Sequence, residues 1–173
     1  GFSVPTVCVL GNHDYWTDGH GVIEQLHACN FAVLRNPHLR LHLRNAPLTI
    51  VGLDDAVTGQ SDVERAFSGV RNNESRLVLS HVPSLADRAL SYGPALVVAG
   101  HTHGGHVHIP RLTAKLFRKL GSPYVKGFYR IGEWEQTGID SGDRQAPTGN
   151  GMLFVNCGIG SSFVPIRAGA LSE

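Results

Sequence analysis

A chain of 173 residues that is 42% hydrophobic is long enough to bury a core, and a net charge of +1 gives no reason to invoke a nucleic-acid partner. No stretch approaches the length of a membrane span. The three cysteines, Cys8, Cys29 and Cys157, are odd in number and widely spaced, and two sit in apolar runs. Reduced structural thiols fit that pattern better than a disulfide framework or a zinc knuckle.

Residues 4–10 read as a strand that runs into Gly11-Asn12-His13-Asp14. A helix is expected near 20–29, with Asp18 ahead of it as a start signal. Strands follow near 31–34, 38–44 and 48–53. Helices near 61–68 and 84–91 flank a strand at 76–80, and Ser61 is the expected cap of the first, with Glu64 at the capping-box position. The apolar run Ala95-Leu96-Val97-Val98-Ala99 is a buried strand bounded by Gly100. A hairpin-like region from His106 leads through a basic segment, 111–120, to strands near 127–132 and 151–156. Residues 136–151, rich in Gly, Ser, Asp, Pro and Thr, carry no apolar period and read as a loop. Strands alternating with helices imply an α/β fold.

Three of these strand-like runs end in chemistry. Residues 7–10 enter Gly11-Asn12-His13-Asp14, residues 76–79 enter Ser80-His81, and residues 95–99 enter Gly100-His101-Thr102-His103-Gly104-Gly105. Loops at the carboxyl ends of parallel strands are where α/β sheets place their sites. Residues two apart on an extended segment point the same way, so His101 and His103 are expected to face one cavity. Ten histidines in the chain make a chance pair a real alternative. The recurrence of the same arrangement three times is what argues against it.

In this order and context the three blocks resemble the last signature motifs of the calcineurin-like metallophosphoesterases, namely Gly-Asn-His-Asp/Glu, an isolated histidine, and Gly-His-x-His. Gly104-Gly105 with Val107 and Pro110, then Tyr129-Arg130 and Gly158-Ile159-Gly160-Ser161, resemble the bacterial branch related to membrane-associated phosphoesterases and lipid-sugar pyrophosphatases. The resemblance implies a two-sheet sandwich flanked by helices (α/β/β/α). It also implies hydrolysis of a phosphomonoester, phosphodiester or pyrophosphate through a dinuclear site holding two divalent ions, Mn²⁺, Fe or Zn²⁺. Carried over by residue, Asn12, His81 and His101 ligate one metal and His103 the other. His13 protonates the leaving oxygen and Asp14 orients it. His106, where the family commonly carries Gln, becomes a candidate substrate contact.

The family's first two motifs, Asp-x-His and Gly-Asp-x-x-Asp, are missing. Asp18-Gly19-His20 follows the Gly-Asn-His-Asp block rather than preceding it, and Gly142-Asp143 lacks a second Asp two residues on. Residues 1–173 are therefore expected to form the C-terminal part of one longer domain, lacking its N-terminal strands, with at most one metal well held, and to be inactive alone. Asp54 and Asp55, at the end of residues 48–53, are candidates for the absent carboxylates but read more simply as loop or cap residues. In 111–120, Leu112, Leu116 and Leu120 recur every four residues among Arg111, Lys115, Arg118 and Lys119. That pattern suits either a helix with its leucines on the core or one resting on a membrane surface beside a phosphorylated small-molecule or lipid substrate. A cytoplasmic or peripheral-membrane location is expected. Two other classes stay open: a non-catalytic or single-metal binding module, and a mononuclear zinc hydrolase using His101, His103, His106 or His108.

Overall fold

The computed structural model describes residues 4–105, 109, 112–119, 123–132, 150–160 and 168. The fold is α/β with two sheets. Strand β1 (Thr6–Cys8) pairs in parallel with β2 (Phe31–Val33), joined by the long helix α1 (Asn12–Ala28). The second sheet contains β3 (His38–Leu43), β4 (Ala46–Gly52), β5 (Ser75–Ser80), β6 (Leu96–Ala99), β7 (Gly127–Ile131) and β8 (Gly151–Val155), in the spatial order β3-β4-β5-β6-β8-β7. Its four central strands, β4, β5, β6 and β8, run parallel, and β3 and β7 pair antiparallel at the two edges.

Local chemistry explains the punctuation. The β3–β4 hairpin turns through Arg44 and Asn45, both at positive φ (49° and 66°), the two-residue geometry whose twist matches the strands it joins. Helix α2 (Val63–Phe67) is capped by Asp62, whose side chain accepts from Arg65 N at 3.0 Å. The expected cap, Ser61, instead buries a hydroxyl with no hydrogen-bond partner among the described residues. The helix expected from about residue 20 already begins at Asn12, and it contains a break at Asp18. There the backbone is extended and Asp18 Oδ1 accepts from Gly21 N at 3.0 Å, so Asp18 does start a helical segment, the second half of α1. Helix α3 (Ala86–Leu90) follows a 3₁₀ turn at Pro83–Leu85.

The core lies between the large sheet and α2 and α3. Val51, Val78, Val97, Leu153 and Val155 from the strands, with Leu53 just after β4, meet Val63, Ala66, Phe67, Ala89 and Leu90 from the helices. The small sheet packs where Leu34 rests on Gly52, so closely that a Cβ at Gly52 would lie 2.1 Å from that of Leu34. Asn36 joins the parts. Buried and at positive φ (67°), it accepts through Oδ1 from Asp54 N at 3.0 Å and Asp62 N at 2.9 Å, and it donates through Nδ2 to Gln60 O at 2.8 Å. Helix α4 (Leu112–Lys119) lies on the 101–105 loop, with Thr113 and Phe117 beside Gly105. The loop expected over 136–151, apart from residues 150 and 151, lies outside the described residues, as do residues 106–108 with His106 and His108.

Candidate metal centre

The parallel strands deliver their following residues to one edge. Register places Gly52 opposite Leu79 and Ser80 opposite Ala99, so Asp54 and Asp55 after β4, His81 after β5 and His101 after β6 leave the sheet side by side. Backbone bonds lock this arrangement: Leu53 N donates to Leu79 O at 2.9 Å and Gly100 N to His81 O at 3.1 Å. From the small sheet, β1 feeds Gly11 and the first turn of α1. A Cβ at Gly11 would lie 2.7–2.9 Å from the His81 ring, so only glycine lets the helix start come this close.

Three donors converge. His81 Nε2 lies 2.8 Å from the buried Asn12 Oδ1 and 3.1 Å from His101 Nδ1, and the two imidazoles meet edge to face at 4.9 Å. Burial pushes the pKa of His81 down to about 4, helped by His101, against the opposing pull of Asp55 and Asp14. Burial likewise lowers that of His101. Both rings are thereby held neutral, the form that ligates a cation. Among the described residues no three His, Cys, Asp or Glu side chains come together as a metal-holding group; the third donor here is an amide. Two imidazoles and an amide oxygen suit zinc, manganese or iron, so the donor set fits a single divalent ion.

The 101–105 loop is not the extended segment expected. His101 and His103 both sit in the left-handed region (φ 68° and 50°), and a 3₁₀ turn spans His103–Gly105. Thr102 is buried between them, its Oγ1 donating to Val125 O at 2.5 Å. Left-handed backbone costs a non-glycine residue about 1–2 kcal/mol. Two such residues in one loop are the kind of strain that gathers at functional sites. The turn directs His101 to His81 and leaves His103 Nδ1 3.3 Å from Gly160 O, after β8.

His13 stands exposed on the first turn of α1, edge to face with Trp16 at 5.1 Å. Asp14 Oδ2 accepts from Gly11 N at 2.7 Å and so fixes the loop that carries Asn12. Asp54 is spent on structure: it accepts from Tyr15 Oη at 2.6 Å, from Arg35 Nε at 3.0 Å and from Asp55 N at 2.9 Å. Asp55 Oδ2 accepts from Thr58 N and Oγ1 at 2.7 and 2.8 Å, while its buried Oδ1 has no hydrogen-bond partner among the described residues. The Tyr15–Asp54–Arg35 cluster and Asn36 were not foreseen from sequence. The asparagine itself was the available clue, since asparagine tolerates positive φ.

No family model matches the chain, and no solved structure matches it. Curated relatives do. An uncharacterized metallophosphoesterase of Bacillus subtilis, YkuE, is 29% identical over 93% of this chain and 51% of its own length. The Escherichia coli phosphodiesterase YaeI is 30% identical over 75% of this chain and 48% of its own. The UDP-2,3-diacylglucosamine pyrophosphatase LpxG of Chlamydia trachomatis is 26% identical over 87% of this chain and 57% of its own. The chain thus spans about half the length of these relatives. With its three strand-end blocks gathered at one edge of an α/β fold, the chain belongs to the calcineurin-like metallophosphoesterase family.

Proposed function

We propose that this chain carries a metal-dependent site for hydrolysis of a phosphoester or pyrophosphate bond. The observation that supports it best is the convergence of Asn12, His81 and His101 at the carboxyl edge, with both rings held neutral. A divalent cation held there by these three residues would polarise a phosphoryl oxygen and offset its charge. His13, exposed one residue from Asn12, donates a proton to the departing oxygen. Asp14 holds the loop that presents His13. A second cation, the dinuclear form that the family resemblance implies, would start from His103, whose Nδ1 lies 3.3 Å from Gly160 O. Through the three converging donors, the 173 residues on their own hold one cation tightly, with little turnover. Calorimetric titration with Mn²⁺, paired with hydrolysis of a nitrophenyl phosphodiester, tests this. One tight equivalent, lost in His81→Ala and His101→Ala, is expected, and two tight equivalents with rapid turnover would overturn it.

The surface favours a lipid-borne phosphate. Leu112 and Leu116 of α4 are 59% and 53% exposed and Ile109 is 50% exposed, so the leucines face outward while Thr113 and Phe117 face the site loop. Lys115 and Lys119 border them, and that pairing of apolar and basic groups matches an anionic lipid surface. Among the described residues no helix is long and apolar enough to cross a membrane. Co-sedimentation with vesicles should rise when phosphatidylglycerol replaces neutral lipid and fall in Lys115→Glu with Lys119→Glu. Equal binding to both vesicle types would refute the reading.

A further inference from the structure

The donors that converge on His81 are all neutral, so a dication among them would leave its charge uncompensated by any ligand. A buried cation needs a fixed counter-charge near it. Asp14 turns back on Gly11, and Asp54 is matched by Arg35 at 3.0 Å. Among the described residues Asp55 has no cationic partner. It is fully buried, its Oδ2 is satisfied by Thr58, and its Oδ1 is an orphan among the described residues, in a place where an unpaired anionic oxygen is costly.

Its place in the fold gives the orphan a purpose. Asp55 leaves β4 beside the point where His81 leaves β5, with Leu53 N bonded to Leu79 O in between. We propose that Asp55 is a positioning residue, the fixed negative charge behind the His81–His101 pair that makes the neutral donor set able to hold a divalent cation. This rests on the metal-dependent reading above. At a given distance a fixed negative charge attracts a divalent ion twice as strongly as a singly charged group.

Two variants separate this role from plain loop architecture. Asp55→Asn keeps an oxygen for the Thr58 donors and removes the charge. Thr58→Val removes one of those donors and keeps the charge. Mn²⁺ is titrated into each metal-free protein by calorimetry, and each is melted without metal. Asp55→Asn should bind Mn²⁺ about 10–100-fold more weakly, the range typical of lost support around metal ligands, with a metal-free Tm that is unchanged or raised. Thr58→Val should lower the Tm and keep its affinity. Unchanged affinity in Asp55→Asn, or an equal loss in Thr58→Val, would overturn the proposal and leave the metal-dependent reading intact. Absence of saturable Mn²⁺ binding in the parent chain would defeat both.

Discussion

At the scale of single residues, the neutral state of His81 has a consequence that can be measured without metal. Its folded pKa, about 4, lies below the 6.5 of a free imidazole, so between those values the unfolded chain binds a proton that the folded chain does not. Protons therefore favour unfolding in that window. The contribution is fully present above pH 6.5, declines as pH falls towards 4, and changes no further below it; His101 acts in the same direction. Urea midpoints of the metal-free protein should fall between pH 6.5 and 5, and His81→Gln should flatten part of that slope. Parallel profiles for the two proteins would show that His81 is not held neutral by the fold. The exposed His13 makes a different prediction. His13→Ala should cut turnover about 10²–10⁴-fold on a substrate with a poor leaving group and much less on a nitrophenyl ester, which needs little protonation. Equal losses on both would rule out its acid role.

At the scale of elements, caps separate what sequence could and could not locate. Asp18 was readable as a helix start, and it caps the second half of α1. The first half was not readable, because Asn12 to Thr17 has no apolar period and its start is fixed by Asp14 folding back on Gly11 and by the ligand loop beneath. At α2, Ser61 and Asp62 are both good capping residues, and the position was decided by Asn36, which binds Asp62 N from 26 residues away. Such a contact leaves no local trace. Asp62→Ala should then cost about 1 kcal/mol, the usual value of a lost cap. Ser61→Ala removes a buried hydroxyl with no partner among the described residues and should be neutral or stabilising. Chemical denaturation that ranks Ser61→Ala as the more damaging change would reverse this assignment. The strand-end blocks were legible since Asn12, His81 and His101 each follow an apolar run; the left-handed turn at 101–103 was not, because nothing in His-Thr-His demands it.

At the scale of the whole molecule, the described residues cover the two faces of the large sheet unequally. Central parallel strands are normally buried on both sides. Among the described residues α2 and α3 pack on one face, while the two-stranded sheet meets the other near β4, where Leu34 sits on Gly52. Farther along, Leu96, Met152 and Phe128 are 38%, 44% and 67% exposed. They adjoin through the β6–β8 pairing of Leu96 with Met152 and through Phe128 packed on Phe154 at 4.6 Å across β7 and β8. A contiguous apolar surface of this kind drives association between copies in water. The 173-residue chain should therefore self-associate as its concentration rises and bind a hydrophobic dye while folded. Because Phe128 and Met152 project from strands whose opposite face is the core, Phe128→Lys with Met152→Lys should suppress both effects at little cost in stability. Sedimentation velocity at two concentrations decides the matter: a monomer at both would mean that the open face is too broken by polar neighbours to act as a surface, and a double variant that still associates would place the contact elsewhere.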